Sequence, residues 1–171
     1  MLELRSDDEQ LLLTVLNSAP IERGKQLDLL DGELATQLAQ RYVGSGSSSE
    51  RSHLRRMREV LHDLVREVPG AHLQLQSLLE GVELVPEVTD GGIRWLPRAP
   101  KDQMLAVRAA LAWAEIAELL PGRLRACANT ECNLFLLDRS RPGSAKWCSM
   151  ATCGNRMKAR KHAQARPAGR A

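Results

Sequence analysis

Aromatic side chains are scarce in this chain of 171 residues, which has one Phe, one Tyr and three Trp. So few rings leave little material for a platform of stacked bases or for a large cofactor pocket, and they force an aliphatic core. Long apolar runs are missing too. None approaches the roughly 18 residues that span a bilayer, and the opening "MLELRSDDEQ" lacks the basic-then-apolar pattern of a secretory signal. A cytoplasmic protein without a membrane partner is expected. Residues 1–122 contain no phosphate-cradling Gly motif, no nucleophile elbow and no paired-histidine metal motif, so no enzyme and no catalytic residue is expected. His53 and His62 fall on one helical segment and suit surface or boundary positions, whereas Trp95 and Trp113 suit the core.

What is present is globular in character, with 43% hydrophobic and 26% charged residues. The net charge of +3 conceals a division along the chain. From Arg123 onward eleven Lys and Arg face only Glu131 and Asp138, a net +9, while the first 122 residues carry thirteen basic and nineteen acidic side chains, a net −6. An acidic body with a basic tail implies a polyanionic partner for the tail.

Helical spacing and turn signals outline the body. "DDEQLLLTVLNS" starts with the acidic residues that a helix N-terminus favours, and Pro20 ends that segment. "DGELATQLAQRYV" has Asp31 as its expected cap and Leu34, Leu38 and Tyr42 along one edge. "GSGSSSE" joins two helices of one body, and the next helix starts at Ser49 with Leu54, Met57, Leu61, Leu64 and Val65 as its apolar stripe, stopped at Pro69-Gly70. A short helix, "AHLQLQSLLEGV", precedes a hairpin in "VELVPEVTDGGIRWLPR" that turns at Asp90-Gly91, where Pro86 requires an edge strand. A long amphipathic helix after Pro100 closes at Pro121-Gly122, the expected domain boundary. The expected fold is α+β: a mainly helical body with one small hairpin, followed by a compact C-terminal module.

That module holds all four cysteines. Four residues separate Cys127 from Cys132, four separate Cys148 from Cys153, and fifteen lie between the pairs. One tetrahedral four-thiolate site fits this spacing, and zinc suits it because the ion is redox-inert and indifferent to ligand-field geometry. Four protein ligands leave no open position for water, so such an ion is structural. Two disulfides, a redox switch or an iron-sulfur cluster are the alternatives. Around the site, "LRAC" and "NLFLLD" are expected as two arms of a hairpin, with Phe135 and Trp147 as a miniature core, and a helix is expected from Asn155 to Ala165. Asp138 is expected to hold an Arg or cap a turn.

The tetrapeptide Cys153-Gly154-Asn155-Arg156, with "FLLDRS" and "WCSM" in the same order and at similar spacing, resembles the CGNR zinc finger family. The resemblance covers about residues 123 to 165. It implies a treble-clef-like zinc finger over residues 123–171, basic tail included, that follows an ABATE-type regulatory domain over residues 1–122, in a stress-induced bacterial transcription regulator. "LLLTVLNS" stands where ABATE domains carry a Leu-Asp-Phe-Val-Asn-Thr-like segment, with Asn17 matching and Thr14 in place of the acidic residue. Ala145 and Lys146 stand where relatives commonly have two basic residues before the Trp-Cys pair.

Phosphate contacts are expected from Arg139, Arg141, Lys146, Arg156, Lys158, Arg160 and Lys161, and also from Arg166 and Arg170, because cations meeting a duplex backbone release condensed counterions. On a helix Arg156 and Arg160 share one face and Lys158 and Lys161 another. Asn155 and Arg156 suit base edges. The function expected is DNA binding by a transcription regulator whose body senses a signal or forms a homodimer. An adaptor docking its finger on an acidic protein such as the transcription machinery is the alternative.

Overall fold

A computed structural model describes residues 6–165, so Arg166 and Arg170 lie outside the described residues. The body is built on helix α1 (Ser6–Leu16), whose Leu11, Leu12, Val15 and Leu16 are all fully buried. Asp7, Asp8 and Glu9 occupy its first turn, where the exposed N–H groups favour negative charge. Around α1 stand α2 (Glu33–Tyr42), α3 (Ser48–Val65), α4 (Ala71–Leu78) and α5 (Met104–Leu119). Helix α1 packs on both α3 and α5, and these contribute Leu54, Met57 and Leu61, and Leu105, Ala109 and Ile116, to one aliphatic core. No helix among the described residues is long and apolar enough to cross a membrane.

Among the described residues, three antiparallel two-stranded ribbons complete the fold: β1 (Ile21–Glu22) with β2 (Lys25–Gln26), β3 (Glu83–Thr89) with β4 (Gly92–Arg98), and β5 (Leu124–Ala126) with β6 (Phe135–Leu137). The β3–β4 hairpin turns where Asp90-Gly91 predicts, and Pro86 stands opposite Trp95 in a ribbon that has only edges. Trp95 is not core: it is 42% exposed, because the ribbon stands off the body. Trp113 does pack against the core.

Helix starts depend on capping chemistry that periodicity alone misplaces. Asp31 does not cap α2. It ends a short 3₁₀ turn, Leu29–Asp31, capped by Asp28, whose carboxylate accepts from Leu30 N at 3.0 Å, and Asp31 itself pairs with Arg55. The Asp28 carboxylate also receives a fork from buried Arg58, at 2.8 and 3.1 Å. Burial works to raise the Asp28 carboxyl, but the Arg58 fork outweighs it and holds the group below the usual carboxylate range.

The start of α3 moves similarly. Ser47 Oγ accepts from Glu50 N at 3.0 Å, one residue ahead of the helix and two before the Ser49 start read from the sequence. Glu50, 1% exposed, reaches back to accept from Ser45 N and Gly46 N, each at 2.8 Å, a variant of the reciprocal Ser-x-x-Glu box. Gly44 makes room for it: a Cβ there would lie 2.6 Å from the Glu50 carboxylate and 2.8 Å from Leu105. The "GSGSSSE" stretch is therefore an ordered joint. Replacing Glu50 by Ala removes two hydrogen bonds to a carboxylate and empties a buried position, so Glu50→Ala is expected to lose about 2–3 kcal/mol in urea unfolding. A loss below about 0.5 kcal/mol would show that the joint is not what holds α2 to α3.

Candidate metal centre and basic helix

The β5–β6 hairpin forms as its sequence predicts, paired from Leu124↔Leu137 to Ala126↔Phe135. Cys127 continues the ladder, its N–H donating to Leu134 O at 2.8 Å, and Cys127 and Cys132 sit in the loop that joins the two strands. The second pair depends on an irregularity. Had the chain entered an α-helix at Cys148, Cys153 would point about 140° away around the axis. Instead Ser149 caps a wide π turn, Met150–Gly154, in which Gly154 N donates to Ser149 O at 3.0 Å, and α6 (Asn155–Ala165) follows directly. The wider turn brings both sulfurs to one point.

All four Sγ atoms lie within 4.8 Å of one another, with Cys132–Cys148 and Cys148–Cys153 each at 3.7 Å. Thiolates held about 2.3 Å from a single tetrahedral ion are separated by about 3.8 Å, so the donor set fits zinc. The same distances exclude disulfides, whose sulfurs approach to about 2.05 Å, and all four cysteines are free. A multi-iron cluster would hold its thiolates further apart than this. Burial pushes the Cys132 and Cys148 thiols up. At Cys153 burial also works upward, but the Asn129 amide, 3.5 Å from its Sγ, and the neighbouring thiols outweigh it and hold the group below its ordinary value. A divalent cation offsets the cost of ionising the rest.

Asn129 is fully buried, and nothing in the spacing or composition signals it beyond its place between the first two cysteines. Asp138 holds the opposite side of the module. It is buried and accepts from Ser140 N at 2.9 Å, Ser140 Oγ at 2.6 Å, Ala145 N at 2.9 Å and Arg125 Nη2 at 2.7 Å. These bonds, the Ser140 hydroxyl foremost, draw its carboxyl down to about 2. The "FLLDRS" segment therefore folds a loop, and Asp138 holds an Arg and caps a turn as expected. Gly143, at φ +62°, closes that loop beneath the Arg123 guanidinium in a left-handed backbone conformation that favours glycine.

Phe135 does not form a separate miniature core with Trp147. It is 2% exposed and belongs to the body's core cluster, joined there by Leu124, Ala126 and Leu137. The aliphatic core thus runs across Pro121-Gly122. Its ring meets His62, centroid to centroid at 4.4 Å, and the Arg66 guanidinium at 4.6 Å. Asn17 pairs with the Phe135 backbone as a strand would: its Oδ1 accepts from Phe135 N at 2.7 Å and its Nδ2 donates to Phe135 O at 3.3 Å. Asn133 donates to Ala19 O at 3.0 Å and accepts from Arg66 at 2.6 Å. His62 is not a surface or boundary residue. It is buried, and its Nε2 donates to Leu16 O at 2.8 Å. His53 does stay at the boundary, 3.9 Å from Asp102.

The basic side chains divide into two groups. Arg139 pairs with Glu9 of α1, and Arg160 with Glu131 at 2.6 Å. Arg141, Lys146, Arg156, Lys158 and Lys161 are exposed and form no ion pair among the described residues. Asn155 is exposed and donates to Ala151 O at 3.3 Å. Helix α6 contains no acidic residue.

Residues 123–166 match the family model of the CGNR zinc finger. The likeness covers this C-terminal segment. The match takes in the β5–β6 hairpin, all four cysteines and α6, and with the sulfur geometry it supports structural zinc on Cys127, Cys132, Cys148 and Cys153. No curated protein matches the chain.

Two outcomes follow. Purified reduced protein is expected to carry one zinc per chain by elemental analysis, and Cys148→Ser to lose it together with ordered amide signals from residues 127–156. Full order in that variant would exclude the ion as the staple. His62 supplies the second. Burial depresses it from 6.5 to about 4, so the unfolded chain takes up the proton first as pH falls. The His62 contribution is complete above pH 6.5, declines toward pH 4 and then levels off, a loss of about 3 kcal/mol. His62→Gln is expected to be less stable at pH 7.5 but flatter across that window; because both proteins keep the same thiols, the difference in slope isolates His62.

Proposed function

We propose that this protein is a DNA-binding transcription regulator in which the zinc-held finger contacts the duplex and the helical body receives a signal or mediates self-association. The observation that carries this reading is α6 and its surroundings, where five unpaired exposed cations stand on a module folded around one ion, next to a body of opposite net charge. Such a surface neutralises phosphates in a geometry that the metal site and the Phe135 seam hold rigid, so little side-chain support has to be ordered on binding. Arg156 is the side chain best suited to a guanine edge, being exposed and at the first turn of α6.

A second reading has its own support. Arg139 and Arg160 already pair with carboxylates of this chain, so the finger's guanidinium groups suit an acidic protein surface too, as an adaptor on the transcription machinery would require. In this reading the protein is not an enzyme.

Fluorescence anisotropy of a labelled duplex, taken from binding-site selection on a random library and compared with scrambled DNA at several salt concentrations, separates the two. Five phosphate contacts give a slope of log affinity against log salt near about −4.5. Arg156→Ala with Lys158→Ala is expected to bring it to about −2.7 while zinc content stays at one. Arg160→Ala should change it less, because Arg160 is engaged by Glu131. Absence of any sequence preference, or of binding, leaves the adaptor reading in place.

A further inference from the structure

The four sulfurs of the metal centre are not equivalent. Cys127 and Cys153 are buried, at 8% and 5% exposure, while Cys132 and Cys148 are only half-buried. Hydrogen bonding divides them further: the buried Asn129 amide donates to Cys153 Sγ at 3.5 Å, which lowers the nucleophilicity of that sulfur. The two half-buried sulfurs are neighbours, 3.7 Å apart, and come from separate segments, the β5–β6 loop and the stretch before the π turn. Cys148 lies as close to Cys153, but that sulfur is buried and already engaged by Asn129.

We infer that Cys132 and Cys148 together form an oxidation site for hydrogen peroxide, at which a disulfide replaces two of the four metal ligands and dismantles the base of α6. A bound divalent cation keeps its coordinating thiols deprotonated, and the thiolate is the form that attacks a peroxide. One sulfur of the pair takes the near oxygen with its proton: an S–O bond forms, the O–O bond breaks, hydroxide leaves, and the sulfur, oxidised by two electrons, becomes a sulfenic acid. The thiolate of the other then attacks that sulfur. An S–S bond forms and the S–O bond breaks with loss of a second hydroxide, so two thiolates and one peroxide give one disulfide and two hydroxides. An S–S bond is about 2.05 Å long, so closing the pair takes a shift of about 1.7 Å. A resolving thiolate this near traps the sulfenic acid before a second peroxide carries it to the sulfinic acid.

The consequence reaches α6 by two routes. Cys127 and Cys153 alone do not complete a tetrahedral site, so the π turn loses its anchor, and α6 packs chiefly on that turn. Glu131, next to Cys132 in the loop, holds Arg160 of α6 at 2.6 Å, so displacement of Cys132 acts on the helix directly. An exposed helix of 11 residues without a base is marginal in water. The inference rests on the regulator reading only for what the loss of α6 does to DNA binding; the oxidation itself is independent of DNA.

The test uses the full zinc-loaded chain and hydrogen peroxide, with the chromogenic chelator pyridylazoresorcinol to report freed zinc. Non-reducing peptide mapping, after the remaining thiols are blocked, reports the pairing. One zinc per chain is expected to be released as one Cys132–Cys148 disulfide forms, with loss of ordered amide signals from α6, and dithiothreitol with added zinc is expected to restore the starting state. Cys132→His keeps a four-ligand set that suits zinc but removes the partner thiol, so its zinc release is expected to be at least tenfold slower. If that variant holds no zinc, the mapping of the unmodified protein decides. A disulfide that joins Cys127 or Cys153, sulfinic or sulfonic acid at Cys132 or Cys148 without a disulfide, or α6 signals that stay ordered once the disulfide has formed would each overturn the inference. Release from zinc-loaded Cys132→His at the unmodified rate would do the same. None of these readouts involves DNA, so failure here and failure of the regulator reading are separable.

Discussion

Four sulfurs gathered within 4.8 Å of one another cannot ionise together unless a cation neutralises the thiolates, and most of the chain after residue 122 is arranged around that condition. The two sulfur pairs come from dissimilar local structures, a loop between short strands and a wide helical turn. Neither supplies much apolar mass. Asp138 and Asn129 then do by hydrogen bonding what a larger domain does by packing, each buried and each tying backbone segments together. With the ion in place, α6 projects from a fixed base, and its cations need not be ordered by any contact of their own.

The module is nevertheless not self-sufficient. Its Phe135 ring is buried in the body, and Asn17, the residue after α1, serves as a substitute strand partner for the Phe135 backbone. Two N-terminal features are thereby explained together: why an amide side chain follows α1, and why a histidine on α3 is kept neutral and buried against Leu16 and Phe135. The charge division along the sequence has a counterpart in three dimensions as well, with Glu9 of the acidic body reaching Arg139 of the basic module.

Much of this architecture was legible in the residues. Spacing located the four ligands; proline-glycine pairs located the stops; alternation and Asp90-Gly91 located the hairpin. What stayed hidden were long-range partners. Periodicity says which side of α3 faces inward, but not that His62 meets a ring 73 positions later. Asp31 has the chemistry of a cap, but its carboxylate pairs with Arg55 of a distant helix, and α2 starts from Gly32 without a side-chain cap. Trp95 was misplaced because an aromatic residue is core only when something covers it, and the ribbon that bears it stands apart. Within the metal centre, the spacing named the sulfurs and was silent about Asn129, whose role depends on the fold of the loop and on nothing in its composition.

The Phe135 seam restricts how such modules can be exchanged between proteins. A finger recombined onto a different scaffold would keep its metal yet arrive with a bare ring and an unpartnered strand edge, a sticky surface that invites aggregation. Inheritance of the pair as a unit is therefore favoured by solubility alone, before any requirement for communication between the two halves is considered.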